Sequence, residues 1–377
     1  MAFMRINPGF CKWIFSTVAV ICIKGAAAQS DSVTMPRDTV HTKNRHILVF
    51  PLVANSIETS LSFGGAASIT FRSSHRDTLS RTSSIQALAL YSLDKQLVTA
   101  VNGSQYFARE RYILNEQLSY SSFPDKFWGI GKNTPDANEE AYKFEQYYIY
   151  LHLMRSLGHN FFGGILFEFQ NVLKVDYNKG GIFDQQLVAG RSGYKASGLG
   201  LSFTYDDRND AFAPDKGSFA QFFFNHFDHI FGSGYNYTNY VIDLRKFIRI
   251  HHHQVLALQA FSFTNAGDSI PLRSLATFGG ATSMRGYYDG RYRDKNQLVF
   301  QAEYRVPLFK RFGAVVFANC GDVAHTPFDY TFDDLKFSYG GGLRFALNKS
   351  EKLNLRLDYG IGKGDNSGLY FQLGEAF

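Results

Sequence analysis

The chain has 377 residues, 39 of them Lys or Arg and 33 Asp or Glu, for a formal net charge of +6. That near-balance, with no basic helix and no zinc-ligand spacing, gives no ground for a nucleic-acid partner. The aromatics stand out instead, with 37 Phe and 22 Tyr beside only three Cys.

From the N-terminus, residues 1–28 read as a secretory signal. Arg5 and Lys12 supply a basic start, Ile14 to Ile23 an apolar run, and Ala26, Ala27 and Ala28 a small-residue cleavage site before Gln29. The apolar run falls short of the ~20 residues that a membrane-spanning helix needs, and Lys24 closes it. Ile21 before Cys22 is not the small residue expected ahead of a lipid-anchored cysteine. Cleavage removes Cys11, Cys22 and three basic but no acidic side chains, so the net charge falls from +6 to +3 and Cys320 alone remains. Such an exported chain has no internal disulfide. Residues 29–46 then form a short periplasmic segment, well below the ~50 residues of a small folded domain. Residues 47–377 are expected to form one domain.

That domain reads as strands. Leu298, Phe300, Ala302 and Tyr304 share one face, and Val299, Gln301, Glu303 and Arg305 the other. Leu353, Leu355, Leu357 and Tyr359 oppose Asn354, Arg356 and Asp358, and Phe337, Tyr339, Leu343 and Phe345 oppose Ser338 and Arg344. In the last strand Leu369, Phe371, Leu373 and Phe377 fall on one side, interrupted by Glu375. A helix cannot keep one face apolar with a period of two. A soluble sandwich also alternates, but it turns its charged side to water. Here the polar face carries both signs, which suits a hydrated barrel interior.

The same reading places strands near 47–58, 61–72, 85–93, 97–106, 110–120, 142–154, 160–171, 196–206, 218–228, 235–246, 253–264, 297–306, 313–319, 337–346, 352–360 and 368–377. Single-chain outer-membrane barrels require an even number, which sixteen satisfies. The long connections near 121–141, 172–195 and 265–296 fall at one end of such a barrel, and short ones such as 155–159 and 348–352 at the other. Extracellular loops and periplasmic turns differ in this way. The expected fold is all-β: a single antiparallel transmembrane β-barrel of about sixteen strands, in the outer membrane of a Gram-negative-type envelope.

The longest connection contains Gly279-Gly280-Ala281-Thr282-Ser283-Met284-Arg285-Gly286-Tyr287, followed by Asp289-Gly290-Arg291-Tyr292-Arg293-Asp294. This stretch closely resembles the loop-six signature of the BamA/TamA superfamily of outer-membrane assembly barrels, the bacterial surface antigen family. Phe123 to Gly131, Tyr205 to Asp210 with Pro214 to Gly217, Glu303 to Leu308, Phe317 to Gly321, Gly342 to Phe345, Leu355 to Gly360 and the terminal Gly374 to Phe377 resemble its other motifs, in the same order.

The resemblance implies a loop six folded into the lumen, with Met284, Arg285, Gly286 and Tyr287 at its tip. It implies that Glu303 holds Arg285. The family usually has an aspartate where this chain has Asn319, so Arg285 is expected to form one ion pair plus one weaker neutral hydrogen bond to Asn319; charge-assisted bonds are roughly twice as strong. Phe371, Leu373 and Phe377 match the terminal signal by which such barrels are themselves assembled. Residues 29–46 leave no room for a POTRA domain, which points to the branch lacking one.

The implied role is in outer-membrane biogenesis, inserting or translocating proteins or lipids with a separate periplasmic or outer-membrane partner protein. The alternative is a passive channel or structural barrel. Outer-membrane lipid is an expected partner and a homo-oligomer a further one.

Plainer readings compete. Arg285 to Tyr287 could be a surface turn in which Gly286 serves only for its positive φ, and Phe377 one more lipid-facing aromatic. His251, His252 and His253 cannot converge on one metal ion, because adjacent strand residues point to opposite faces. Cys320 reads as a small packing residue, and the chain has no Gly-x-Ser-x-Gly elbow. No catalytic constellation, metal site or cofactor is expected, and the chain is not read as an enzyme.

Overall fold

The computed structural model describes residues 18–19, 45–56, 60–72, 80–93, 95–210, 213–251, 253–348 and 353–377. The expected signal segment and the stretch after it lie outside the described residues, except for Val18–Ala19, which pairs with Val53 and Ala54, and Arg45 onward. Of the histidine run, His252 also lies outside them.

Sixteen long strands follow in chain order: β1 (Arg45–Ser56), β2 (Ser60–Phe71), β3 (Ser83–Ser92), β4 (Leu97–Phe107), β5 (Tyr112–Phe127), β6 (Glu140–Gly158), β7 (Phe161–Asp176), β8 (Tyr194–Asp206), β9 (Gly217–Phe227), β10 (Tyr237–Arg249), β11 (Val255–Ala266), β12 (Asn296–Phe309), β13 (Phe312–Ala324), β14 (Lys336–Asn348), β15 (Leu353–Ile361) and β16 (Ser367–Leu373). Each pairs antiparallel with the next in an up-and-down order. Every segment expected from alternation corresponds to one of them. Two of the boundary differences shape the buried face. The stretch Phe123 to Phe127, expected in a loop, continues β5 because its inward side chains are buried by loops packed over them. β16 stops at Leu373 and not at Phe377, because Gly374 turns left-handed at φ 84°.

The sheet is polarised in the opposite sense to a soluble one. Along β10, Asn239, Asp243 and Arg245 are 2–4% exposed, whereas Tyr240, Ile242 and Leu244 are 42–46% exposed. The same inversion runs along β14, where Phe337 and Tyr339 are outward and Ser338 and Arg344 buried. An apolar surface this extensive is unfavourable in water and suited to hydrocarbon. The ladders pair the backbone between strands, as an apolar surround requires.

The connections 128–139, 177–193 and 267–295 meet at one end of the sheet. There the Gly131 N–H donates to the Arg293 carbonyl at 2.7 Å and the Leu272 N–H to the Ala189 carbonyl at 2.9 Å. The 267–295 connection lies on the buried face. It reaches β7 and β10 through Ser274 on one side, and β14 and β16 through Tyr287 and Gly286 on the other. The sheet therefore curls around this loop.

Replacing the outward Ile242 by Arg should lower the unfolding free energy of the lipid-reconstituted protein by about 2–4 kcal/mol. Denaturant titration in vesicles reads this directly, and an unchanged midpoint would count against a hydrocarbon-facing wall.

Candidate functional site

The loop begins and ends as a small hairpin, Ala276–Phe278 against Tyr292–Asp294. Between these strands the chain descends along the buried face. Met284 packs with Phe278, Tyr287 and Val299, all fully buried. Gly286 lies flat on the end of β15: a Cβ there would stand 2.7 Å from the Gly362 nitrogen and the Ile361 carbonyl carbon, and φ is +112°. Glycine is needed at this point for both space and conformation. The Gly286 N–H donates to the Tyr370 hydroxyl at 2.9 Å. The Tyr287 hydroxyl donates to the Phe337 carbonyl and accepts from the Lys363 N–H, each at 2.9 Å.

Arg285 is completely buried, its guanidinium 3.5 Å from the centre of the Phe317 ring. Its Nη2 stands 2.8 Å from Glu303 Oε2, an ion pair outside hydrogen-bond alignment. The neutral bond expected from Asn319 is absent. Asn319 and Ser338 are direct cross-strand partners, and the Asn319 amide donates to the Ser338 hydroxyl at 2.9 Å. The second anchor is Asp358, which accepts from Arg285 Nη1. Asp358 can lean inward because its cross-strand partner is Gly342, where a Cβ would overlap its Oδ1 at 2.0 Å. The lock thus has two carboxylates, and the expected weakening is corrected.

These groups belong to a closed ring of alternating charge. Arg285 pairs with Glu303 and Glu303 with Arg305 at 2.7 Å; Arg305 stands 3.7 Å from Glu375; Glu375 pairs with Arg344 at 2.8 Å; Arg344 pairs with Asp358, which returns to Arg285. Glu375 enters the ring because the chain turns inward after Gly374. Phe377 was expected on the outward side of the last strand with Leu369 and Phe371. It is instead buried against Phe247 and Ala257, with its carbonyl accepting from Arg305 at 3.2 Å. The left-handed Gly374 and the two arginines waiting inside are the physical reason. Leu373 is the last strand residue.

A second lock, not singled out from sequence, closes the loop end. The buried Asp125 carboxylate accepts from Arg273 at 3.0 Å, from Arg293 at 2.9 Å and from the Tyr142 hydroxyl at 2.5 Å. Arg291 binds Asp136 and both the hydroxyl and carbonyl of Thr134. Glu140 accepts from the N–H groups of Asn178 and Ile182, tying in the 177–193 loop. Beneath these pairs Phe123, Phe127, Phe183, Tyr194 and Leu272 form one apolar core. Asp125, Arg291 and Arg293 lie within motifs already visible in sequence, but only the packed loops bring them together.

The sequence pattern of the Omp85 superfamily domain matches residues 62–377. Among solved structures, BamA from Haemophilus ducreyi lacking POTRA domains 1–3 is 15% identical, with a TM-score of 0.57 over 97% of this chain and 75% of that one. CdiB from Acinetobacter baumannii is 13% identical, with a TM-score of 0.56 over 87% of this chain and 59% of that one. CdiB from Escherichia coli is 12% identical, with a TM-score of 0.57 over 87% and 62%. At these identities the likeness is one of fold. No curated protein matches the sequence.

Arg285→Ala should destabilise the protein by about 3–5 kcal/mol, because it leaves two buried carboxylates short of a partner. Asn319→Ala should cost about 1 kcal/mol, one neutral hydrogen bond. Thermal unfolding of the two variants in one detergent decides between Asp358 and Asn319 as the second anchor.

Proposed function

Because the chain belongs to the Omp85 superfamily, we propose that it is an outer-membrane β-barrel working in outer-membrane biogenesis, where it inserts or translocates proteins or lipids together with a separate partner protein. The observation that carries this reading is the pair of locks holding loop 267–295 on the inner face, above all the Arg285 ring. A passive pore gains nothing from a lumen filled by a loop anchored at both ends. A barrel that opens at its side needs its interior plugged and its wall rigid everywhere except the opening.

We place the proposed opening between β1 and β16. β16 has seven residues and β1 twelve, so few ladder hydrogen bonds are available to close the wall there. The inward tail removes four more residues from that edge, and glycines at 64, 65, 368 and 374 thin the side-chain packing around it. Ladder hydrogen bonds are individually modest, so a short seam opens at lower cost than a long one. Clients would be presented by the partner protein, the two chains dividing recruitment from insertion.

The test is purification from native membranes in mild detergent, with identification of whatever accompanies the barrel at stoichiometric level. A periplasmic or membrane protein is the expected outcome, and loss of envelope assembly in Arg285→Ala the expected phenotype. A barrel recovered alone, whose Arg285→Ala variant merely conducts more in planar bilayers, would establish the passive reading instead.

A further inference from the structure

The outward wall is not uniformly convex. On β10 to β13 a trough crosses the strands, floored by Ala260, Ala302 and Ala318 and edged by Leu244 and Leu258 on one side and Phe300 on the other. The walls follow from register: Leu244 is the cross-strand partner of Ala260, which in turn partners Phe300. Large, small and large side chains therefore stand side by side on three adjacent strands. At Ala260 the edges are two strands apart, about 9.5 Å between backbones, and at Ala302 Leu258 and Phe300 stand closer still. A helix with its side chains is about 10–12 Å across and cannot enter. A single extended hydrocarbon chain can.

One end of the trough is charged. Lys246, exposed on the same outward face three residues before β10 ends, lines it together with Ser218. Its ammonium donates to the Ser218 hydroxyl at 2.8 Å, and it forms no ion pair with a carboxylate among the described residues. The neighbouring Arg249, by contrast, is paired with Asp215. A lysine on a hydrocarbon-facing wall extends its charge toward the nearer membrane surface along its apolar stem. The feature is thus an apolar slot, wide enough for one chain, that ends in an uncompensated cation at headgroup level near the turn end.

The geometry points to a binding site for one anionic phospholipid of the bilayer, with an acyl chain lying over Ala260, Ala302 and Ala318 and its phosphate on Lys246 and Ser218. The site is far from the β1–β16 seam in strand order and does not depend on the assembly activity proposed above. It does require the outward wall to face lipid, which the Ile242→Arg measurement tests separately.

Cys320 reports on the slot, being a partly exposed free thiol that lines it beside Ala318, on the β13 side of Phe300. The experiment uses the full chain in neutral detergent, titrated with phosphatidylglycerol, phosphatidylcholine or inorganic phosphate. Retained lipid is read by native mass spectrometry, and maleimide labelling of Cys320 by peptide mass spectrometry. The expected result is one retained phosphatidylglycerol and labelling slowed about tenfold, corresponding to roughly 1.4 kcal/mol of protection. Lys246→Gln should weaken phosphatidylglycerol binding about fivefold and leave phosphatidylcholine unaffected. Ala260→Trp, which fills the slot from the lipid side, should abolish protection by either lipid. Labelling that ignores phosphatidylglycerol overturns the proposal. So does a Lys246→Gln variant that binds it as tightly as the parent, or equal protection by inorganic phosphate alone, which would reveal an adventitious ion only.

Discussion

A sheet whose apolar face points outward must satisfy a polar interior, and here that constraint centres on six alternating charges around Arg285. Buried charges are tolerated only when each is compensated, and removing one partner of such a set exposes the full desolvation cost of the others. The ring meets this condition with groups from five separate places: the loop tip, β12, β14, β15 and the segment after β16. None of these pieces is near another in sequence except Glu303 and Arg305. The ring therefore fixes where the loop descends and where the chain end lies, as well as neutralising the wall.

The two ends of the molecule differ for related reasons. At the loop end Asp125 gathers Arg273 and Arg293 over an aromatic core, so three long connections behave as one folded cap. At the turn end Arg81 pairs with Glu110 and Asp206, and Arg208 with Asp206. Between them the loop tip is held by Tyr287, Gly286 and the Arg285 ring. Among the sixteen long strands β16 is the shortest.

Much of this architecture was legible from local chemistry. The alternation of Leu353, Leu355 and Leu357 with Asn354, Arg356 and Asp358 follows from strand geometry alone, in which successive side chains point to opposite faces. It located every long strand and the side on which the charges sit. The Met284-Arg285-Gly286-Tyr287 tip was legible through its resemblance to a loop motif, and the structure adds the reason for two of its residues: only glycine fits where the loop touches β15 backbone, and Arg285 reaches two carboxylates there. What misled was the terminus. Phe377 continues the apolar rhythm of Leu369 and Phe371, yet Gly374 breaks the strand and Arg305 and Arg344 draw Glu375 inward.

Sequence alone thus determined the period, and with it the faces, the strand number and the inverted polarity, because these depend on neighbours one or two residues apart. Tertiary structure alone decided the partners. Asp358 rather than Asn319 completes the lock because register sets it opposite Gly342, while Asn319 stands opposite Ser338. Asp125 becomes a hub because loops distant in sequence converge on it. The slot below Lys246 exists because Leu244, Ala260 and Phe300 fall in one row. Register between strands and convergence of loops are sums over the whole fold, and no local pattern contains them.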